Sequence, residues 1–200
     1  MNLQQCETQL INTIEELSRS LDSGKQIDLL ILDFAKACDT MPHNKLLHKL
    51  EQSGIRDNES GNSDQNPQML HKWFRNWLCF RTQEVCLDGG TSNKCNVVSG
   101  VPQGTVLGPL CFLIFINDLG SNLSPETKLK LFADDSLLFR TIENEGDAKQ
   151  LQADLDSLTS WADTWHMQFH PSKSLVMSIT NKKKNPNTQR IHILEQRILN

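Results

Sequence analysis

The sequence has no long hydrophobic run and no N-terminal leader pattern. Its longest apolar stretch runs from Val106 to Ile116 and is interrupted by Gly108 and Pro109. A bilayer-spanning helix needs about 20 apolar residues, so this stretch is too short. The first residues, Met1 to Ser20, lack a basic end followed by an apolar centre. We therefore expect neither a signal peptide nor a membrane partner.

An excess of basic residues and the usual cysteine patterns are also missing. The net charge is -4 and the pI about 5.8, whereas stand-alone nucleic-acid binders usually carry a basic surface. That balance leaves open an enzyme whose carboxylates hold metal ions. None of the six cysteines forms a C-x-x-C pair. Without a secretory signal we expect reduced thiols in an intracellular protein, with nucleus or cytoplasm undecided.

What is present is enough apolar material for a hydrophobic core. The 200 residues are 38% hydrophobic and 22% charged, which is typical of one folded domain, or one domain and part of another. Apolar periodicity predicts helices over 5–22, 43–50, 69–80, 109–119 and 147–169. Strands are predicted over 27–34, 82–88, 94–98, 128–132, 137–140, 175–179 and 191–194.

The order of these elements predicts a layered fold. Hairpins and helices alternate, which is typical of an α+β domain with a mainly antiparallel sheet and helices packed on one face. Residues 56–68 contain no apolar side chain, so we expect a loop insertion there.

Three carboxylates stand where strands end or turn. Asp33 lies at the end of the apolar strand 27–34, and Asp134 and Asp135 occupy the tip of a predicted hairpin. If these strands are neighbours, the three side chains converge, and such a cluster repels itself unless cations bind or some groups stay protonated. Oxygen ligands suit Mg²⁺, which is usually bound by one or two carboxylates together with substrate phosphates. An Asp-Asp pair alone is more often turn chemistry.

Other chemistries fit the same residues less well. A haloacid-type phosphatase needs a second Asp two residues after the first, where Ala35 stands. A receiver domain has its acidic pair before its acceptor Asp, and here the order is reversed. Asp39-Thr40 is followed by Met41 rather than Gly, which excludes the aspartic-protease triplet. Neither a phosphate-binding G-x-x-x-x-G-K-[ST] loop nor a serine nucleophile elbow is present.

Four motifs in one order carry a resemblance to a known family. Leu30 to His43 reads LILDFAKACDTMPH, Ser99 to Leu110 reads SGVPQGTVLGPL, Phe132 to Asp135 reads FADD, and Trp165 to Lys173 reads WHMQFHPSK. They resemble motifs A, B, C and D of the reverse transcriptase of non-LTR (LINE-type) retrotransposons. Cys6 to Leu10 is similar to the segment leading into the palm, so the resemblance covers nearly the whole chain.

The resemblance implies a polymerase palm, with the fingers and thumb incomplete in a chain that begins after the fingers motifs. In such a palm Asp33 and Asp134 would hold two Mg²⁺ ions, or Mn²⁺, and Asp135 would complete the acidic pair. The Phe34 carbonyl would add a backbone ligand. Lys173 matches the motif D lysine, a proton donor to the departing pyrophosphate, although a solvated surface lysine fits its sequence equally well.

Further nucleotide contacts are implied near motif B. Gln103 and Gly104 would line the incoming-nucleotide pocket and approach the template. Cys38 stands where the family usually has an aromatic gate against the ribose 2′-hydroxyl, and His170 replaces a usual Asn. Residues 1–200 would thus be a partial reverse transcriptase domain carrying motifs A to D.

The implied reaction is RNA-directed DNA polymerisation, in which dNTP is added to a primer 3′-hydroxyl. The implied partners are an RNA template, a DNA primer and the rest of a retrotransposon polyprotein with its fingers, thumb and endonuclease. The alternative is a catalytically inactive remnant, or a domesticated scaffold that keeps the palm fold. The intact carboxylates favour the enzyme, whereas the missing fingers and thumb favour the remnant or scaffold.

Overall fold

The computed structural model describes residues 6–56 and 68–181. Most of the predicted insertion at 56–68 and the whole predicted strand at 191–194 lie outside these residues. No helix within the described ranges is both long enough and apolar enough to span a membrane. Six helices are described: α1 Cys6–Asp22, α2 Ala37–Thr40, α3 His43–Gln52, α4 Gln68–Leu78, α5 Leu107–Phe115 and α6 Glu145–Trp165.

Eight strands accompany the helices in the described part of the chain. They are β1 Gln26–Asp33, β2 Thr82–Gln83, β3 Cys86–Leu87, β4 Gly90–Thr91, β5 Cys95–Asn96, β6 Lys128–Phe132, β7 Asp135–Ile142 and β8 Leu175–Ile179. The chain divides into two compact units. The first unit contains residues up to 35, 118–164 and those from 168 onward, and the second contains 36–117 and 165–167.

The first unit is built on a four-stranded antiparallel sheet in the order β6-β7-β1-β8. Its central strand β1 is buried along almost its whole length, which explains why its sequence is a nearly continuous apolar run rather than an alternating one. A strand buries side chains on both faces when other elements cover both faces of its sheet. Residues from Leu29 to Leu32 are the interior of this strand.

Helices α1 and α6 bury the sheet through different residues. Leu17 and Leu21 of α1 pack with Ile27 and Leu29. From α6, Trp161 is 9% exposed and its ring lies 6.4 Å from that of Phe34. Three leucines of α6 are also buried: Leu151, Leu155 and Leu158. Each such side chain contributes about 1.5–3 kcal/mol relative to exposure.

The second unit contains three longer helices and the short strands β2 to β5. Helix α3 contacts both α4 and α5. Lys49 of α3 is buried, with its Nζ 3.7 Å from the ring centroid of Trp165. Trp165 is half-buried, and its ring meets Phe115 edge-on at 5.7 Å between centroids. The tryptophan side chain therefore shields a lysine, and the cation–π contact partly compensates for the burial of the charge.

The ends of several elements differ from the sequence-based boundaries for local reasons. Helix α6 ends at Trp165 rather than at 169, because His166 adopts a left-handed φ of 56° that stops the helix. The predicted strand over 82–88 is divided in two, and β2 pairs with β5 while β3 pairs with β4. Asp88 and Gly89, both with positive φ, close the β3–β4 hairpin.

Candidate active site

Two of the predicted carboxylates lie directly opposite each other in the sheet of the first unit. Asp33 is the last residue of β1 and Asp135 the first of β7, and their Cα atoms are partners in the ladder. Side chains at directly opposite positions share one face, with Cβ atoms about 4.5–5.5 Å apart. Asp134 lies in the turn between β6 and β7. The strand that ends at Asp33 therefore pairs beside the hairpin, which was the condition for the three carboxylates to converge.

The backbone around Asp33 is clamped by the segment that follows α6. The N–H of His170 donates to the Asp33 carbonyl at 2.7 Å, and the N–H of Ala35 donates to the Gln168 carbonyl at 2.8 Å. Phe34 forms a bridge with Phe169 and the two rings stack at 4.5 Å. The Phe34 side chain is therefore part of the core, and the role that the resemblance implies concerns its backbone carbonyl.

The segment that bonds to the Asp33 backbone also brings the side chain of Lys173 close to Asp33. The N–H of Lys173 donates to the carbonyl of His170 in a tight turn. The Lys173 Nζ lies 3.0 Å from Oδ2 of Asp33, and the two side chains are 63% and 13% exposed. Close contact with the Asp33 carboxylate is the main cause of a raised pKa for Lys173, and the negative charges of Asp33, Asp134 and Asp135 add to it. All three carboxylates therefore act on one ammonium group.

The donor set at this end of the sheet fits a divalent cation that also binds substrate. Oδ2 of Asp33 is buried and accepts no well-formed hydrogen bond from the described residues, so its close contact with Lys173 is an ion pair. Within residues 6–56 and 68–181, no three His, Cys, Asp or Glu side chains are grouped closely enough to hold a metal alone. Mg²⁺ is commonly bound by one or two carboxylates and completed by phosphate and water. The carboxylates fit that coordination, since each supplies hard oxygen atoms.

The other predicted site residues belong to the second unit. Nε2 of Gln103 donates to Oδ1 of Asp39 at 2.8 Å, and the Ser99 hydroxyl donates to the Asp39 carbonyl at 2.8 Å. The N–H of Val101 donates to the Cys38 carbonyl at 2.8 Å. The loop that carries Gln103 is therefore tied to the segment that carries Cys38.

Two glycines of this loop have different reasons to be glycine. Gly100 has a φ of 76°, and a Cβ there would lie 2.7 Å from the carbonyl oxygens of Cys38 and Asp39. Gly104 has a φ of 74°, and a Cβ there would meet nothing within 4 Å among the described residues. The first glycine permits close backbone packing, whereas the second leaves the surface in front of it open.

Sequence reasoning missed residues that act through tertiary contacts. Asp39 orients Gln103, and Arg81 donates from Nη2 to the Gly100 carbonyl at 2.9 Å. The Nε2 of His43 also lies 2.8 Å from that carbonyl. Nothing in the local pattern around these polar residues distinguishes them from solvated ones.

Cys111 is buried, and burial raises the pKa of its thiol to about 11, so it is neutral at pH 7.

The amino-acid sequence matches a known family over almost the entire chain. Residues 2–197 match the family described as reverse transcriptase (RNA-dependent DNA polymerase). The chain belongs to this family. Reverse transcriptases in general use divalent metal ions, in keeping with the carboxylate oxygens at the end of β1.

The curated relatives that match the chain are polymerases of mobile elements. It is 28% identical over 182 residues to the "Probable RNA-directed DNA polymerase from transposon X-element" of Drosophila melanogaster, covering 89% of this chain and 19% of that protein. It is 27% identical over 159 residues to the "RNA-directed DNA polymerase from mobile element jockey" of the same organism, covering 76% and 16%. The chain thus spans less than a fifth of the length of these relatives. The resemblance to non-LTR elements is confirmed.

Solved structures share the fold at low sequence identity. The apo telomerase from Candida tropicalis, truncated from its C-terminal domain, matches with a TM-score of 0.65 and 12% identity, covering 92% of this chain and 37% of that one. The telomerase from the same organism in complex with a TWJ fragment of telomeric RNA matches with a TM-score of 0.63 and 13% identity, covering 84% and 29%. The α+β polymerase palm with an antiparallel sheet is therefore confirmed.

Proposed function

We propose that this chain is part of the RNA-directed DNA polymerase of a non-LTR retrotransposon. Residues 1–200 would form a partial reverse transcriptase domain with motifs A to D, and residues 56–68 an insertion in it. The observation that carries the proposal is the cross-strand pair of Asp33 and Asp135, with Asp134 in the adjoining turn. The substrates would be an RNA template, a DNA primer and dNTP. The rest of the polyprotein, with its fingers, thumb and endonuclease, would be the protein partner.

The carboxylates would organise the reacting phosphate. Asp33 and Asp134 would hold two Mg²⁺ ions, or Mn²⁺, with Asp135 beside them and the Phe34 carbonyl as a further oxygen ligand. Divalent ions supply Lewis acidity, which lowers the pKa of a bound hydroxyl and neutralises charge on the triphosphate. The primer O3′ forms a bond to the α-phosphorus as the bond from that phosphorus to the bridging oxygen breaks, and pyrophosphate departs.

Lys173 would supply a proton to the leaving pyrophosphate. Its ammonium lies 3.0 Å from Oδ2 of Asp33, and a lysine side chain is protonated at neutral pH. General acid catalysis by a positioned group contributes typically about 10²–10⁴-fold. In the second unit, Gln103 and Gly104 would contact the incoming nucleotide and the template. Cys38 would lie under the sugar of the nucleotide.

Primer extension on an RNA template tests the proposal. The full chain, alone and joined to the remainder of a related polyprotein, is supplied with dNTP and either Mg²⁺ or Mn²⁺. We expect extension by the wild-type protein and its loss in Asp134→Asn. The matched control is Asp156→Asn, an exposed carboxylate on α6. Absence of extension in every form with either metal, from protein that remains folded, would instead indicate the inactive remnant.

A further inference from the structure

Phe80 is held in a conformation and an environment that a phenylalanine does not favour. It follows α4 with a φ of 64°, in the left-handed region, and its side chain is 88% exposed. A bulky side chain at positive φ is an outlier, because its Cβ crowds the backbone. Such strain persists where the surroundings impose it, and it is frequent at ligand-binding positions.

The next residue explains why the backbone stays in place. Arg81 donates from Nε to the Leu78 carbonyl at 3.0 Å and from Nη2 to the Gly100 carbonyl at 2.9 Å. The N–H of Val97 donates to the Arg81 carbonyl at 2.9 Å. The chain is therefore anchored immediately after Phe80, and the phenyl ring has no freedom to move inward by a shift of this segment.

A short β ladder follows Phe80 in the chain. Thr82 pairs with Asn96 and Gln83 with Cys95. The N–H of Val97 donates to the Arg81 carbonyl one step beyond this register, and the next residue, Val98, is 79% exposed. Phe80 and Val98 are thus two exposed apolar residues, each next in the chain to a residue of the Arg81–Val97 bond.

Val98 also lines a groove of about 800 Å³ in the second unit. The lining combines one guanidinium with three carboxamides: Arg81, Gln83, Asn96 and Gln103. Among the described residues that line it there is one carboxylate, Asp39, which accepts the hydrogen bond from Gln103. Carboxamide side chains both donate and accept hydrogen bonds, as the edges of nucleobases do.

We propose that Phe80 is a stacking platform for an unpaired nucleobase of a single-stranded nucleic acid that enters this groove. Every base has an apolar face that stacks on an aromatic ring, whereas its edge needs polar partners. The exposed ring of Phe80 supplies the first, and the amide-lined groove, which begins at the adjacent Arg81, supplies the second. The nature of the occupant rests on the proposed function, since a polymerase of this family must hold an unpaired template strand.

An apolar protein segment fits the groove less well. A peptide docked on Phe80 and Val98 would bury the groove's amides and its carboxylate without matching their hydrogen-bonding capacity, which is costly. A base satisfies donors and acceptors in one plane. A second copy of this chain remains the competing occupant that the experiment must recognise.

Oligonucleotide binding tests the proposal without any catalytic step. The full chain is titrated into fluorescein-labelled 12-nucleotide oligo-U RNA, and into an abasic strand of the same length, with fluorescence anisotropy as the readout. We expect Phe80→Asn to weaken binding of oligo-U about 5- to 100-fold, the usual range for losing one base–aromatic stack. Binding of the abasic strand should change less than about twofold. Phe80→Trp should bind oligo-U about as tightly as the wild type, because an indole ring also stacks on a base.

The same substitution separates a binding role from a folding role. Asparagine tolerates the left-handed conformation, so Phe80→Asn should raise the Tm by a few degrees while it weakens binding. Leu87→Asn is the matched control, because Leu87 is 72% exposed on the neighbouring β3–β4 hairpin. It should leave the affinity for oligo-U unchanged.

Three results would overturn the proposal. They are equal affinity of Phe80→Asn and wild type for oligo-U, an equal loss for the abasic strand, and failure of the wild type to bind oligo-U. Sedimentation velocity in which the wild type dimerises and Phe80→Asn does not, with oligo-U binding unaltered, would assign the ring to self-association. Oligo-U binding by Asp134→Asn keeps this test separate from catalysis. If primer extension fails while Phe80-dependent binding of oligo-U persists, only the proposed polymerase activity is refuted.

Discussion

The ammonium group of Lys173 lies 3.0 Å from Oδ2 of Asp33, although the two residues are far apart in the chain. The contact depends on the turn at His170, whose N–H is bonded to the Asp33 carbonyl and whose carbonyl accepts the N–H of Lys173. A cation of the protein therefore occupies one oxygen of the carboxylate that is proposed to bind a metal. The position of Lys173 and the charge of Asp33 are coupled.

The pKa of Lys173 should fall toward its ordinary value of 10.5 in Asp33→Asn, because the main cause of its rise is removed. A lysine with a raised folded-state pKa stabilises the fold at pH values below its unfolded pKa, and this stabilisation is lost as the pH rises through the folded pKa. NMR titration of the lysine side-chain resonances between pH 8 and about 12 measures the shift. Asp163→Asn, an exposed change on α6, is the control. An unaltered pKa in Asp33→Asn would contradict the ion pair.

Gly100→Ala should destabilise the second unit far more than Gly104→Ala. Both glycines have a positive φ, but a methyl group at Gly100 would lie 2.7 Å from two backbone oxygens, while at Gly104 it would meet open space. The positive φ costs about 1–2 kcal/mol at each position. Overpacking against immovable backbone adds about 1–3 kcal/mol at Gly100 only. Urea unfolding of the two variants provides the comparison, and equal losses would argue against the close packing.

Asp154→Asn should destabilise the protein at pH 7 and lose its effect in acid. Burial would raise the pKa of this carboxyl, but hydrogen bonds from Ser124, Thr127 and Gln150 outweigh it and lower the pKa below its ordinary 3.8. A lowered carboxyl pKa stabilises the fold above the unfolded pKa, and the stabilisation disappears as the pH falls through the folded pKa. Charge-assisted hydrogen bonds contribute about 1.5–3 kcal/mol.

Urea unfolding at pH 7 and at about pH 2.5, below the ordinary range of an aspartate, measures the Asp154 effect. Asp156→Asn lies on the same helix, where its carboxylate is exposed and contacts only Gln152 at 3.1 Å among the hydrogen bonds described. Such surface changes usually alter stability by less than about 0.5 kcal/mol. A loss in Asp154→Asn that is independent of pH would mean that packing, rather than charge, is responsible.

Cys38→Phe should increase discrimination against ribonucleotides in an active form of the protein. A thiol leaves volume that a phenyl ring would fill, so steric exclusion of a 2′-hydroxyl is weaker in the wild type. The ratio of kcat/KM for dNTP over rNTP should therefore rise in the variant. Cys79→Phe serves as a second half-buried cysteine in the same unit. An unchanged ratio in Cys38→Phe would show that another residue provides the gate.

The proposed site shows where sequence patterns suffice. The run before Asp33 is apolar on both faces, which already indicates a central strand, and the hairpin around Asp134 follows from two short alternating segments. Lys173 is assigned by the order and spacing of the four family motifs. The strand and the hairpin depend on neighbours within a few residues, which is the range over which periodicity carries information.

Other features depended on the fold. The alternation over 82–88 predicts one strand, but the chain pairs in two separate ladders, because the partners of β2 and β3 lie on different later segments. The end of α6 is set by the left-handed conformation of His166, a residue with no strong preference to stop a helix. Asp39 and Arg81 look like solvated residues in the sequence, and only their contacts with Gln103 and Gly100 distinguish them.

The α+β class, the central strand and the three carboxylates can be predicted from the amino-acid sequence, because hydrophobic periodicity and residue chemistry are local properties. Which of these groups meet depends on the tertiary structure. The register that sets Asp33 opposite Asp135, the turn that brings Lys173 to Asp33 and the anchoring that exposes Phe80 all join residues distant in the chain. Such contacts form when the whole sheet and its helices bury their apolar faces together, and no single segment encodes them.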